Sequence, residues 1–266
     1  MGEVPQFQRY NSPEYAESLE FDPAKKLTLD QFLLNVNDGT YVEIPSGKYI
    51  ISSVISKTLY LKAKGSVTLR GNCNDHIITS SSNHLVIDGF NFDQTENQGN
   101  CVCTNGGYTR IIGCTFTSDE NSPIFVTNNA SLELINSAAI GSKNPSIFLN
   151  ETARCFCERC VLKNSSTHGV IVKDDATIYM TNCNIAENKV NGVHIQDNGS
   201  AIITQTFITT NAHAGIEMNS TGTLLLRFSY VTLSEGHGIL TTNGNLNIIQ
   251  STFSDNAMAN ISVFDK

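Results

Sequence analysis

From residue 84 onward, apolar and small residues recur along the chain at a nearly constant interval. One position reads Phe90, Cys114, Ser137, Cys160, Cys183, Thr206, Ser229 and Ser251, in steps of 24, 23, 23, 23, 23, 23 and 22. Two residues later come Phe92, Phe116, Ala139, Leu162, Ile185, Ile208, Val231 and Phe253, and three residues earlier Ile87, Ile111, Leu134, Cys157, Met180, Ile203, Leu226 and Ile248. A further apolar pair recurs as Val170/Val172, Val193/Ile195, Ile216/Met218 and Ile261/Val263, and Gly169, Gly192, Gly215 and Gly238 form a glycine position ahead of it. Each unit holds three short runs of period-two alternation separated by Gly, Asn and Asp. No stretch sustains the i, i+3, i+4 spacing of a helix, so the runs are strands. A unit this short cannot bury its own apolar face. Stacking units at strand spacing, ~4.8 Å, lines equivalent positions into ladders and creates one continuous core.

The predicted fold is therefore all-β, a right-handed parallel β-helix of about ten coils, eight of them full repeats over residues 84–266. Looser apolar runs (Val42/Ile44, Tyr49–Ile51, Leu59–Leu61, Val67/Leu69, Ile77/Ile78) supply one or two more. Ahead of them, Leu27 to Leu34 reads as a short amphipathic helix with Thr28 as N-cap, lying across the first coil. The chain divides into an extended arm (1–26), a capping helix and turn (27–40) and the β-helix (41–266). An open coil end is an unpaired edge, and the last coil still carries Ile261, Val263 and Phe264. It is expected to be covered by the arm, by a partner protein or through self-association.

Composition narrows the partners. The 266 residues are 40% apolar and 16% charged, with 17 Lys+Arg against 25 Asp+Glu and a net charge of −8. With no basic tract, binding to nucleic acid or anionic lipid is not expected. No apolar run approaches the ~20 residues of a spanning helix. The opening residues Met1 to Gln6 lack the basic and apolar regions of a signal peptide, so a cytoplasmic location is expected. Of the eight cysteines, Cys155, Cys157 and Cys160 contain a C-x-x-C, which can mean zinc or redox chemistry, but no second pair completes a four-ligand set. The ladders offer a plainer role: Cys114, Cys160 and Cys183 sit where other coils place Ser or Thr, as small core thiols. A Cys160–Cys183 bridge between coils is geometrically open.

Two motifs carry a family resemblance, over roughly residues 27–266. One is Tyr41-Val42-Glu43-Ile44-Pro45-Ser46-Gly47-Lys48-Tyr49 after the helix; the other is the repeat N-x-x-x-G-(I/V)-x-(I/V), as in Asn188 to Ile195. The chain resembles the pectate-lyase-like superfamily of right-handed β-helices. In style it is closest to the non-catalytic repeats of F-box and SHC-binding proteins. That resemblance implies the fold and leaves open whether the chain acts on polysaccharides.

Candidate sites follow from the register. Gly236-His237-Gly238 resembles a polygalacturonase motif, with Asp174-Asp175 as the acidic pair; however, the pair lies 62 residues upstream, and His237 aligns with His168, Asn191 and Ala214 in a recurring turn. Glu151, Asp174 and Asp197 are 23 apart and stack on consecutive coils. Stacked carboxylates either bind Ca²⁺ or bond their own turn backbone. Phe156, Tyr179, Ile202 and Leu225 form a column expected to face outward, with Phe207 and Tyr230 in a second, as a partner-binding stripe. The alternative is that the first column is partly buried. His194 and Glu217 stack on neighbouring coils, as an acid–base pair or a solvated cross-strand pair. The repeats are uniform and no long loops wall a cleft, which points to a non-catalytic scaffold for protein–protein interaction. A carbohydrate-active lyase, hydrolase or glycan binder is the alternative, and a purely structural, self-assembling solenoid a third.

Overall fold

The computed structural model describes residues 7, 11, 13–72 and 74–264. The strands form two parallel sheets, a broad one of 19 strands and a narrow one of 10, which face each other across the interior of a right-handed solenoid. The chain makes about eleven turns. The ladders read from the sequence are the observed registers. Leu134 pairs with Cys157, Met180, Ile203 and Leu226 in succession, and Ala139 with Leu162, Ile185, Ile208 and Val231. These residues are at most 1% exposed, and Phe92 stacks on Phe116 with ring centroids 4.9 Å apart.

Polar ladders fix the bends. At the corner of the broad sheet, the residue before each small side chain is left-handed, as at Asn136, Arg159, Asn182 and Gln205. The small side chain then accepts the backbone N–H one coil back: Ser137 Oγ from Cys114 at 3.1 Å, Thr206 Oγ1 from Cys183 at 3.2 Å, Ser229 Oγ from Thr206 at 3.2 Å. Cysteine fits this corner because a thiol makes the same bonds weakly: Cys160 Sγ donates to Glu158 O at 3.4 Å, as Ser137 Oγ does to Ile135 O. The next bend holds a buried asparagine ladder. Asn211 Oδ1 accepts from the backbone and side-chain nitrogens of Asn188 at 3.2 and 3.0 Å, and Asn188 Oδ1 accepts from Ser165 N at 3.0 Å.

All seven described cysteines, those of the corner included, are buried free thiols; Cys73 lies outside the described residues. Cys155 Sγ and Cys157 Sγ are 3.6 Å apart. Hydrogen bonding to Cys155, reinforced by burial, pushes the Cys157 thiol well up; burial does the same to Cys114, to about 12. Such thiols are packing, since nucleophilic and metal chemistry needs the thiolate.

The N-terminal end is closed. Strand β1 (Glu17–Glu20), within the arm, pairs with β2 (Thr40–Ile50) as an extra edge strand. Helix α1 (Leu29–Asn35) buries Leu29 and Leu33. It starts at Thr28, whose Oγ1 accepts from Gln31 N at 3.2 Å while Gln31 Oε1 accepts from Thr28 N at 3.0 Å. At the opposite end Ile261, Val263 and Phe264 are 40%, 65% and 53% exposed. Among the described residues no helix is long and apolar enough to cross a membrane.

Candidate functional site

In the narrow sheet the flanking residues of each short strand point into the core, so the middle residue must face out. Successive middle residues are Cys103, Phe125, Phe148, Ile171, His194, Glu217 and Leu240. Phe125 and Phe148 stack at 5.6 Å, giving an apolar floor that leads to a polar cluster. At its centre Glu217 Oε2 accepts from Asn191 Nδ2 at 2.6 Å, and Oε1 from Asn219 Nδ2 at 2.7 Å. His213 Nδ1 is 3.6 Å and His194 Nε2 4.0 Å from this carboxylate. The His168 ring lies 4.8 Å from that of His194, and its Nδ1 is buried without a hydrogen-bond partner among the described residues.

Burial, with the neighbouring His194, pushes the His168 imidazole down to about 4; burial also lowers His194. Burial alone would raise Glu217, but the Asn191 bond and the nearby His194 hold its carboxyl below the usual range. At neutral pH His168 and His194 are therefore uncharged imidazoles beside an ionised Glu217 carboxylate, able to accept protons and to hydrogen-bond a polar ligand. The sequence register shows the His194–Glu217 stack. It does not show His168 and His213, which enter diagonally from turns outside that ladder.

The pH dependence has a definite sign. A histidine whose folded-state value lies below its unfolded value stabilises the fold above the unfolded value, and that contribution is lost as pH falls. For His168 the window runs from about 6.5 down to about 4. The melting temperature is expected to be level above pH 7 and to fall through this window, less steeply in His168→Gln. Equal slopes for the two proteins would contradict the assignment.

Other sequence-derived candidates are placed differently. His237 bonds Ser262 Oγ through Nδ1 at 2.9 Å. Its strand is three rungs from the one ending before Asp174 and Asp175, about 14 Å along the axis at ~4.8 Å per rung, so no catalytic trio forms. Glu151, Asp174 and Asp197 do stack, all with left-handed backbone (φ 57, 57 and 55°). Asp174 Oδ2 accepts the Glu151 backbone N–H at 3.0 Å, and Asp175 Oδ1 accepts from Asn198 Nδ2 at 3.0 Å. Among the described residues no three His, Cys, Asp or Glu side chains converge, and the stack is a run of turns bonded from one coil to the next.

The column Phe156, Tyr179, Ile202 and Leu225 lies on the outer side of the broad sheet, but it is not the open stripe expected: Tyr179 is 7% and Leu225 4% exposed. The arm accounts for part of this cover. Phe7 stacks on Phe156 at 5.4 Å and sets its edge against Tyr179 at 5.7 Å. Lower in the same column, Tyr15 meets Tyr60 at 5.6 Å. Between these points Glu133, fully buried, accepts from Tyr108 Oη at 2.6 Å and pairs with Arg110. By contrast Phe207 and Tyr230 stand exposed at 53% and 43%, their rings stacked at 4.8 Å and 5° from parallel.

Comparison with known proteins agrees with this architecture. A family profile described as "Right handed beta helix region" matches residues 145–266. No curated protein sequence matches the chain. Among solved structures, the alginate lyase AlyGC superposes with TM-score 0.58 at 13% identity, covering 96% of this chain and 41% of the lyase. The pectate lyase Pel9A gives 0.53 at 13% identity, covering 88% and 72%. The surface adhesin PfbA of Streptococcus pneumoniae gives 0.53 at 9%, covering 84% and 85%. At these identities the likeness is one of fold. Residues 145–266 match the right-handed β-helix family, and the chain as a whole folds as a right-handed parallel β-helix, the fold it shares with these solved structures.

Proposed function

We propose that the chain is a non-catalytic β-helical scaffold that binds a partner protein through the outer face of the broad sheet, anchored by Phe207 and Tyr230. One observation carries this reading. Around the strand Tyr230–Thr232, four large apolar side chains are exposed: Phe207 (53%), Phe228 (48%), Tyr230 (43%) and Leu233 (53%). Phe228 and Leu233 also have left-handed backbone, at φ 48 and 58°. Both are recurrent left-handed corner positions, equivalent to Gln205 and Thr210, where a bulky residue bears a cost of about 1–3 kcal/mol. Burial of these side chains against a partner would offset it, and clustered aromatic anchors suit such an interface. In Phe207→Ser/Tyr230→Ser the melting temperature is expected to stay within about 2 °C of the parent, since exposed substitutions away from special features move stability little. Proteins co-captured on the parent bait should be lost from the variant. Retardation of both proteins alike in gels cast with alginate or polygalacturonate would count against this reading.

The His168–His194–Glu217–His213 cluster favours a second reading, a carbohydrate-active protein using the outer face of the narrow sheet. The neighbours include an alginate lyase and an adhesin, and one fold hosts many functions. Its test is release of unsaturated or reducing-end products from the same polysaccharides. His194→Ala and Glu217→Gln should abolish any such release.

A further inference from the structure

The outer column of the broad sheet already holds a ligand of a kind, the chain's own arm. Phe7 and Tyr15 sit over the column five rungs apart, Phe7 against Phe156 and Tyr179, Tyr15 against Tyr41 and Tyr60. Five rungs at ~4.8 Å are about 24 Å, within the roughly 26 Å that eight residues can reach. The column's composition changes along its length: Arg110 and Glu133 in the middle, then Phe156, Tyr179, Ile202 and Leu225 without a charge. The apolar stretch thus extends two rungs beyond the residues that Phe7 touches.

We infer that this apolar stretch is a docking site for an extended peptide presenting an aromatic side chain, and that Phe7 fills it in cis as a displaceable plug. The contact made by Phe7 shows what fits: one ring stacked on Phe156 and turned edge-on to Tyr179. The hold at Tyr15 is imperfect. Tyr15 Oη is buried with no hydrogen-bond partner among the described residues, a loss that a better-fitted strap would not carry. Phe7 itself is only half-buried. Ala16 N–H bonds Gly39 O at 2.9 Å ahead of β1. A plug tethered this way competes at an effective concentration of about millimolar, so a trans peptide that binds more tightly than that displaces it. This surface is separate from the Phe207–Tyr230 patch, and either assignment can fail alone.

The test uses the full chain and a fluorescein-labelled peptide of residues 2–12, followed by fluorescence anisotropy. Phe7→Ala protein is expected to bind the peptide at least about tenfold more tightly than the parent, because the cis competitor is gone. The same peptide carrying Phe7→Ala should lose binding to both proteins, and the parent and variant should melt within a few degrees of each other. Equal affinity for parent and variant, or no binding to either, would overturn the inference. A parent dimer at micromolar concentration that becomes monomeric in Phe7→Ala would also overturn it, assigning the site to arms exchanged between two copies.

Discussion

Asn211→Leu is expected to destabilise the solenoid by about 2–5 kcal/mol, although leucine has the same branched skeleton as asparagine and the position is fully buried. Asn211 Oδ1 is the acceptor for both the backbone N–H and the side-chain amide of Asn188, and Asn211 Nδ2 reaches Ile185 O at 3.5 Å. Removing the acceptor strands two donors in a core that water does not enter, at about 1–3 kcal/mol for each unsatisfied group. Leucine also brings a branched apolar end against the Asn188 amide. The equivalent Asn256 makes the same bonds, accepting from Ser234 N and donating to Val231 O, both at 3.0 Å. It lies on the last rung and is only partly buried, so water substitutes for its amide. Asn256→Leu should therefore cost about 1 kcal/mol or less. Urea titrations of the two variants followed by circular dichroism give the comparison. Equal losses would mean that the ladder is held by backbone pairing and that the side-chain amides are incidental.

The regular part of this fold is legible because a solenoid writes each contact at a fixed interval. Ile87 to Ile248 and Phe92 to Phe253 are columns in the sequence and columns in space. Thr28 is legible for a local reason, since a cap and its partner Gln31 lie within one turn. The first coils are less legible because β2 and β3 (Leu59–Arg70) stay paired through the corner that divides later coils into separate strands, the second of them turning there at Gly65 (φ 92°). Their shared irregularity between Pro45 and Gly47 shifts the register and blurs the interval. The candidate sites divide on the same line. His194 and Glu217 are one repeat apart and visible; His168 reaches His194 diagonally, a contact no ladder encodes. The cover over Phe156 and Tyr179 was hidden entirely. It comes from Phe7, outside the repeats; the register gives the outer face and leaves open whether the column is bare or partly buried.

Gly192→Ala should be nearly as damaging as the loss of the asparagine, at about 2–3 kcal/mol, and for the opposite reason: an atom too many. A Cβ at Gly192 would stand 2.6 Å from Gly215 O, 2.7 Å from Ile208 Cγ2 and 2.9 Å from Asn211 Nδ2. Gly169 has the same three neighbours one coil earlier, at the same distances, which is why glycine recurs there. The crowding cannot be relieved by rotating a flexible side chain, because the nearest atom is backbone in a paired strand and the third belongs to the buried amide ladder. Overpacking of this kind forces backbone shifts, typically at about 1–3 kcal/mol. The control is Gly106→Ala, where the nearest atom to an added Cβ is 3.9 Å away and the backbone is not left-handed. There the substitution should be neutral or stabilise by about 0.4–1 kcal/mol, through the reduced freedom of the unfolded chain. The strain at Gly192 also has a functional direction. Asn191 on one side holds Glu217, and His194 lies two residues beyond, so a displaced turn moves both toward or away from the carboxylate. Gly192→Ala should consequently flatten part of the acid-induced fall in melting temperature along with lowering its starting value. A variant that melts lower at pH 7 with an unchanged acid slope would separate the packing of the turn from the histidine cluster it carries.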